Sequence, residues 1–241
     1  MADLGRIDLR APLTLAVAQP PCVPADVAAN AVTHAAMVRS AGARVVVFPE
    51  LSLSGYELAA PSIVADDPRL APIVQACRDE KAIALAGAPV RGQDGRDYIA
   101  TLAIDGTAVT VAYRKMWLHP PEPDRFAPGD KPAVVEVDGW RLGLAICRDS
   151  GVPEHALATA SLGIDAYLAS TLFSFGARNR RDARMRAIAA EHRVWVAVAS
   201  FAGPTGGYRT TSGGSGIWAP DGSLAAQAGL QAGTFVLATL I

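Results

Sequence analysis

Three residues stand where apolar segments give way to polar turns, and their chemical types complement one another. Cys147 lies in RLGLAICRDSGVPEHA, Glu50 closes the run ARVVVFPE, and Lys115 closes AVTVAYRK. A group at the mouth of a strand can reach a pocket, whereas one inside a strand usually only packs. A cysteine thiol ionises at roughly pH 8.5, so near neutrality it needs a base or a cation beside it to act as a nucleophile. Of the 4 histidines, His34 and His192 fall in helical patterns, His155 lies at a helix start and His119 in a Pro-flanked loop. A Cys–His dyad stays open, but no pair is marked by its setting. Glu50 offers another route, because a carboxylate in a partly desolvated pocket titrates closer to neutrality and can take the thiol proton. Lys115 would favour the thiolate as a cation. With the backbone amide of Arg148 it could also hold the negative oxygen of a tetrahedral intermediate.

The elements that must carry these residues follow from periodicity. Apolar spacing predicts helices over 23–42, 67–80, 152–163 and 177–192. Twelve strand candidates run from LTLAVAQ to TFVLATLI. The pairs Asp94–Gly95, Asp105–Gly106, Asp138–Gly139 and Asp221–Gly222 join several of them as hairpins. Strand–helix–strand units mixed with hairpins imply an α/β fold. So many strands exceed one open twisted sheet, so the expected architecture is a four-layer α-β-β-α sandwich of two mixed sheets. No linker or repeat divides the chain, so residues 1–241 are expected to form one domain, with 1–11 as a flexible tail. The Gly-rich stretch GPTGGYRTTSGGSG precedes a strand and not a helix, which argues against a phosphate cradle.

Composition narrows the function classes. The 51% hydrophobic and 19% charged content favours an enzyme-like body with some surface hidden in an oligomer, so a homodimer or higher homo-oligomer is expected. A net charge of −1 favours neither nucleic acid nor anionic membranes as partners. The cluster Arg178, Arg180, Arg181, Arg184 and Arg186 alternates with apolar positions beside Asp182 and Glu191, and reads as a charged helix face or subunit contact. Three cysteines without paired or metal-type spacing argue against disulfides and zinc and suit a reducing cytosol. Cys22 and Cys77 read as packing residues. The N-terminal residues lack a secretory pattern, and no apolar run reaches the ~20 residues of a membrane span, so the expected location is cytoplasmic.

Taken as blocks, the sequence resembles the nitrilase, or carbon–nitrogen hydrolase, superfamily over nearly its whole length. VVVFPELSLSGY is similar to that family's glutamate block, YRKMWLHPPEPDRFAPGD to its lysine block and GLAICRDSGVPE to its cysteine block. RAIAAEHRVWVAVAS and GGSGIWAPDGSLAAQAG resemble its later helix–strand segment and final hairpin. The resemblance implies Glu50 as base, Lys115 as cation, Cys147 as nucleophile and Glu122 as a second glutamate that holds the lysine and orients the substrate. It implies attack on a small amide, carbamoyl compound or nitrile, then hydrolysis of a thioacyl enzyme by water, with no metal or organic cofactor. Asp149 and Glu154 are read as holding the turn and the helix start.

Several departures bear on the substrate. Gly151 stands where the family often has an aromatic, Trp117 where it often has a histidine, and Arg148 directly follows the nucleophile. Arg148–Asp149 in place of a tryptophan–glutamate pair tilts the expectation from nitrile towards amide or carbamoyl substrates. By position, Tyr56, Phe173 and Phe175 are candidate pocket residues, and Arg148 is a candidate partner for a substrate carboxylate. A catalytically idle scaffold of the same fold is the reading from another class. An intact Glu50, Lys115 and Cys147 argues against it.

Overall fold

In LTLAVAQ the large side chains Leu13, Leu15 and Val17 alternate with small Ala16 and Ala18, and both sets are buried. Size, not polarity, alternates because each sheet is covered on both faces. The structure, a computed structural model describing residues 10–241, has these elements in chain order: β1 (Leu13–Gln19), α1 (Val27–Ala41), β2 (Val45–Val47), α2 (Ala71–Glu80), β3 (Ile83–Arg91), β4 (Asp97–Ile104), β5 (Val109–Arg114), β6 (Val134–Val137), β7 (Trp140–Ile146), α3 (Pro153–Ala160), β8 (Ala166–Thr171), α4 (Arg178–His192), β9 (Trp195–Ser200), β10 (Gly216–Trp218), β11 (Leu224–Gln227) and β12 (Thr234–Leu240). One sheet runs β12-β1-β2-β3-β4-β5 and the other β11-β10-β9-β8-β7-β6. Their centres, β1-β2-β3 and β7-β8-β9, are parallel and their flanks antiparallel.

The small residues face helices. Ala16, Ala18, Ala84, Ala86 and Ala88 pack against α1 and α2, while Ala145, Ala169, Val196 and Val198 pack with Ala156 of α3 and Met185 and Ala189 of α4. Large residues from both sheets meet in the middle layer, Leu15, Val47 and Leu85 from one and Leu142, Leu144 and Leu168 from the other. The molecule is the expected α-β-β-α sandwich, because alanine on the outer faces lets helices lie close while branched side chains fill the space between sheets.

The four Asp–Gly pairs sit in the β3–β4, β4–β5, β6–β7 and β10–β11 connections. At the β6–β7 turn, Asp138 and Gly139 have φ of 51° and 84°, the conformation that a two-residue hairpin of this twist requires. Helix starts are trimmed relative to the sequence pattern. The Asp26 side chain accepts from the Ala29 amide at 3.0 Å and starts α1 there, and residues Pro68–Leu70 form a separate 3-10 turn ahead of α2. Of the expected tail, residues 1–9 lie outside the described residues. The Arg10 guanidinium stacks over Trp140, whose indole N–H donates to the Ala11 carbonyl at 2.9 Å.

The topology aligns the ends that matter. Strands β2 and β5 point the same way in the first sheet, β7 belongs to the second, and each delivers one of the three singled-out residues just beyond its C-terminal end.

Candidate active site

Glu50 follows β2 by a short arm held by the Phe48 amide, which donates to the Leu85 carbonyl at 2.9 Å. The arm lies against Gly87 of β3. A Cβ there would sit 2.3 Å from the Leu51 nitrogen, 2.5 Å from the Pro49 oxygen and 2.9 Å from the Glu50 carbonyl carbon, all backbone atoms that cannot swing aside. Gly87→Ala is therefore expected to cost about 1–3 kcal/mol of stability and to lower activity by displacing Glu50. Urea unfolding alongside rate measurements checks this; unchanged values for both would contradict the packing argument.

Lys115, immediately after β5, is fully buried. Its amide donates to the Ile99 carbonyl at 2.8 Å, and its own carbonyl accepts from Gly129 at 2.7 Å. The Nζ donates to Glu50 Oε1 at 2.6 Å and to both oxygens of Glu122 at 2.7 Å. Glu122 is buried, not solvated, although it lies in a Pro-rich loop. Its Oε2 also accepts from the His119 amide at 2.8 Å, and its Oε1 lies 3.5 Å from the Tyr56 hydroxyl.

Two carboxylates sharing one ammonium out of water form a set whose protonation is finely balanced. Burial raises Glu50 to about 7; Lys115 pulls it down and Glu122 pushes it up. Burial alone would lower Lys115, but Glu50, Cys147 and Glu122 reverse this and hold it firmly charged. Glu50 Oε2 has no hydrogen-bond partner of ordinary length, and the Cys147 thiol is the remaining neighbour that stabilises the ionised carboxylate.

Cys147 opens a short 3-10 turn, Cys147–Gly151, with φ of 44°, so the chain bends sharply as it leaves β7. Positive φ in a residue with a Cβ is uncommon and persists only where surroundings impose it. Here Asp149 does so. Its carboxylate accepts from the Ile146 amide at 2.9 Å, the Tyr113 hydroxyl at 2.7 Å and the Trp117 amide at 2.8 Å. Burial raises Asp149 to about 6 against the pull of these donors. Sγ of Cys147 donates to the Leu172 carbonyl at 3.4 Å. Burial and Glu50 raise the thiol well above its ordinary value, more than Lys115 lowers it. The resting cysteine is thus a thiol beside a carboxyl that burial pushes towards neutrality.

The histidine alternative lacks support in the geometry. His155 is held between the Tyr113 and Tyr167 hydroxyls at 2.9 Å each, and burial lowers it to about 4. His34 is buried between Asn30 and Ser52 and is also lowered to about 4, chiefly by burial. His119 comes near the site, but its Nδ1 faces Arg148 Nη1 at 3.3 Å.

Over Cys147 opens a cavity of about 430 Å³, lined by Tyr56, His119, Arg148, Phe173, Arg180 and Arg184 among others. The candidates Tyr56, Phe173 and Arg148 are therefore brought together with Cys147, while Glu50, Lys115 and Glu122 lie beneath. Phe175 is not in this cavity and is 58% exposed. Glu154 is exposed at the start of α3. The arginine cluster, read as a charged helix face or subunit contact, turns in part to the interior. Arg181 is fully buried, donating to Ser212 Oγ at 2.8 Å and to the Gly213 carbonyl, and so ties α4 to the Gly-rich loop. Arg180 and Arg184 turn to the cavity. Their spacing of four was visible in RNRRDARMR, but which face of the helix meets the site is a property of packing.

Among the described residues no cluster of His, Cys, Asp and Glu is arranged to hold a metal ion, and no helix is long and apolar enough to cross a membrane.

Residues 14–240 match the family model described as carbon-nitrogen hydrolase. A Pseudomonas protegens protein named "Hydrolase in pqqF 5'region" is 35% identical over 231 residues, covering 91% of this chain and 80% of that protein. The (R)-stereoselective amidase of a Pseudomonas species is 30% identical over 191 residues, covering 76% of this chain and 68% of the amidase. Among solved structures, a cysteine-to-alanine mutant of the amidase from Nesterenkonia sp. AN1 in complex with butyramide superposes with a TM-score of 0.84. It is 25% identical and covers 95% of this chain and 90% of that one. Another mutant of that amidase shows Michael addition of acrylamide at its active-site cysteine, with a TM-score of 0.82 at 25% identity, covering 93% of this chain and 92% of that one.

Proposed function

Because the chain belongs to the carbon–nitrogen hydrolase family, we propose that it cleaves a non-peptide C–N bond of a small linear amide or carbamoyl compound through a thioacyl enzyme on Cys147. The observation that carries this reading is the buried set in which Lys115 holds one oxygen of Glu50 and both of Glu122, leaving Glu50 Oε2 for the thiol.

In the first half-reaction Glu50 takes the thiol proton as Sγ attacks the carbonyl carbon. The oxygen that becomes negative is held by Lys115 Nζ and by the Arg148 amide, which lies in the first turn of a short helix where amides lack intrahelical acceptors. As the intermediate collapses, the proton on Glu50 passes to the leaving nitrogen, and ammonia or an amine departs. In the second half-reaction Glu50 takes a proton from water, hydroxide adds to the thioester, and the acid leaves as Sγ recovers its proton. Atoms balance without any other reactant. Glu122 keeps Lys115 in place, and the raised Cys147 means that thiolate forms only as Glu50 accepts the proton.

Glu50 works as a base only when unprotonated. With its carboxyl raised to about 7, acylation should rise with pH through that region and fall below it, the limb belonging to the coupled set and not to one group. Glu50→Gln should slow acylation by about 10²–10⁴-fold and erase this limb. Single-turnover trapping of the acylated thiol by mass spectrometry across the pH range tests both. Unchanged acylation in the variant would remove Glu50 from the role of base.

A further inference from the structure

The cavity over Cys147 is lined by three guanidinium groups and by no carboxylate. Arg178 and Arg181 on α4 share Asp182, at 3.9 Å and 2.8 Å. Arg180 and Arg184, four residues apart and so on one helix face, are ion-paired with no carboxylate among the described residues. Arg184 is half-buried, and burial and the neighbouring charge of Arg180 both work against its protonated form. Two like charges at this spacing oppose each other, and a half-buried cation without a counter-ion is a cost that folding alone does not explain.

The turn after the nucleophile is shaped around that cation. A Cβ on Gly151 would lie 2.8 Å from Arg184 Nη1 and 2.9 Å from its Cζ, so the absence of a side chain at Gly151 lets the guanidinium rest against the turn that begins at Cys147. The Arg148 guanidinium lines the same cavity beside His119. A cavity of about 430 Å³ holds a small molecule, and planar guanidinium forks match a carboxylate in bidentate geometry.

We infer that Arg184 and Arg180, with Arg148 lining the same cavity, form a carboxylate-binding subsite, and that the substrate is a linear amide or carbamoyl compound carrying a carboxylate at the end remote from the scissile carbonyl. This deepens the hydrolase reading and rests on it. The carboxylate has two possible sources: the acyl side, as in a dicarboxylic acid monoamide, or the amine side, as in an N-carbamoyl amino acid.

The test separates binding from turnover. In the Cys147→Ala protein, calorimetry compares succinic acid monoamide with butyramide, and N-carbamoylglycine with ethylurea. In at least one pair the carboxylate compound should bind about tenfold tighter or more than its neutral counterpart. That gap should shrink below about threefold when Arg184→Gln is added. Gly151→Ala should shrink it too, since the clash falls on the movable end of a side chain and leaves the backbone intact; it carries the test if the arginine variant fails to fold. The pair that shows the gap identifies the side that bears the carboxylate. Equal binding within both pairs, or a gap that survives both substitutions, overturns the subsite even if neutral amides are hydrolysed well. Tight carboxylate binding lost with Arg184, but with none of the four compounds hydrolysed by the intact enzyme, would uphold the subsite and overturn the hydrolase reading instead.

Discussion

Cys147→Ala is expected to reduce turnover of any substrate by about 10⁴-fold or more while leaving the fold intact, because the proposed covalent route disappears and only binding and the proposed oxyanion contacts remain. Stability should change little. The thiol makes one long hydrogen bond to Leu172, and alanine meets the same positive φ that cysteine does. In the unmodified protein, acrylamide should label Cys147 ahead of the other thiols. Burial raises all three thiols, but among the described residues Cys147 alone has a buried carboxylate, Glu50, beside it to take the proton. Peptide mapping after limited labelling, with thermal melts of the variant, checks both statements. Substantial activity in the variant would end the thioacyl mechanism.

The second large effect is on Lys115. Replacing it with methionine preserves length and apolar volume but leaves the Glu50 and Glu122 carboxylates buried together without their shared cation. Breaking a buried ion set by removing one member typically costs about 3–5 kcal/mol. The sign of the pH dependence follows. Without the ammonium, burial and the neighbouring Glu122 hold the folded-state Glu50 carboxyl above its unfolded value. The variant then keeps stability at low pH, where Glu50 is protonated, and loses it as pH rises through the raised folded value of Glu50. Urea unfolding near pH 5 and pH 8 should show a deficit relative to the parent that grows with pH, and turnover should fall by about 10³-fold with loss of the oxyanion donor. A deficit that is flat with pH would mean that the set does not hold its charges as described.

The sequence disclosed the central strands because both of their faces are buried, so their runs are continuously apolar, and turn dipeptides punctuate the pattern. It marked Glu50, Lys115 and Cys147 as candidates because charged or reactive groups stand conspicuously at the ends of apolar runs. Glu122 was another matter. Its loop shows no periodicity, and only the resemblance of the lysine block singled it out; the structure gives the physical reason for its burial in the ammonium it holds. Arg180, Arg181 and Arg184 read as a charged helix face or subunit contact, since nothing local shows that α4 turns them to the cavity and the Gly-rich loop. Gly151 looked like a departure without a cause until the space left by its missing side chain proved to be filled by Arg184. Residues that act through their neighbours' shape are invisible until the neighbours are known.

Glu50 and Lys115 hang from one sheet and Cys147 from the other. The proposed chemistry is therefore a property of the seam and of neither half. A collapsed chain with both sheets hydrogen-bonded but the middle layer still fluid would show full strand content to circular dichroism and yet possess an ordinary, slow cysteine. The rate at which that thiol acquires its reactivity is a stopwatch for the locking of Leu15, Val47 and Leu85 into Leu142, Leu144 and Leu168.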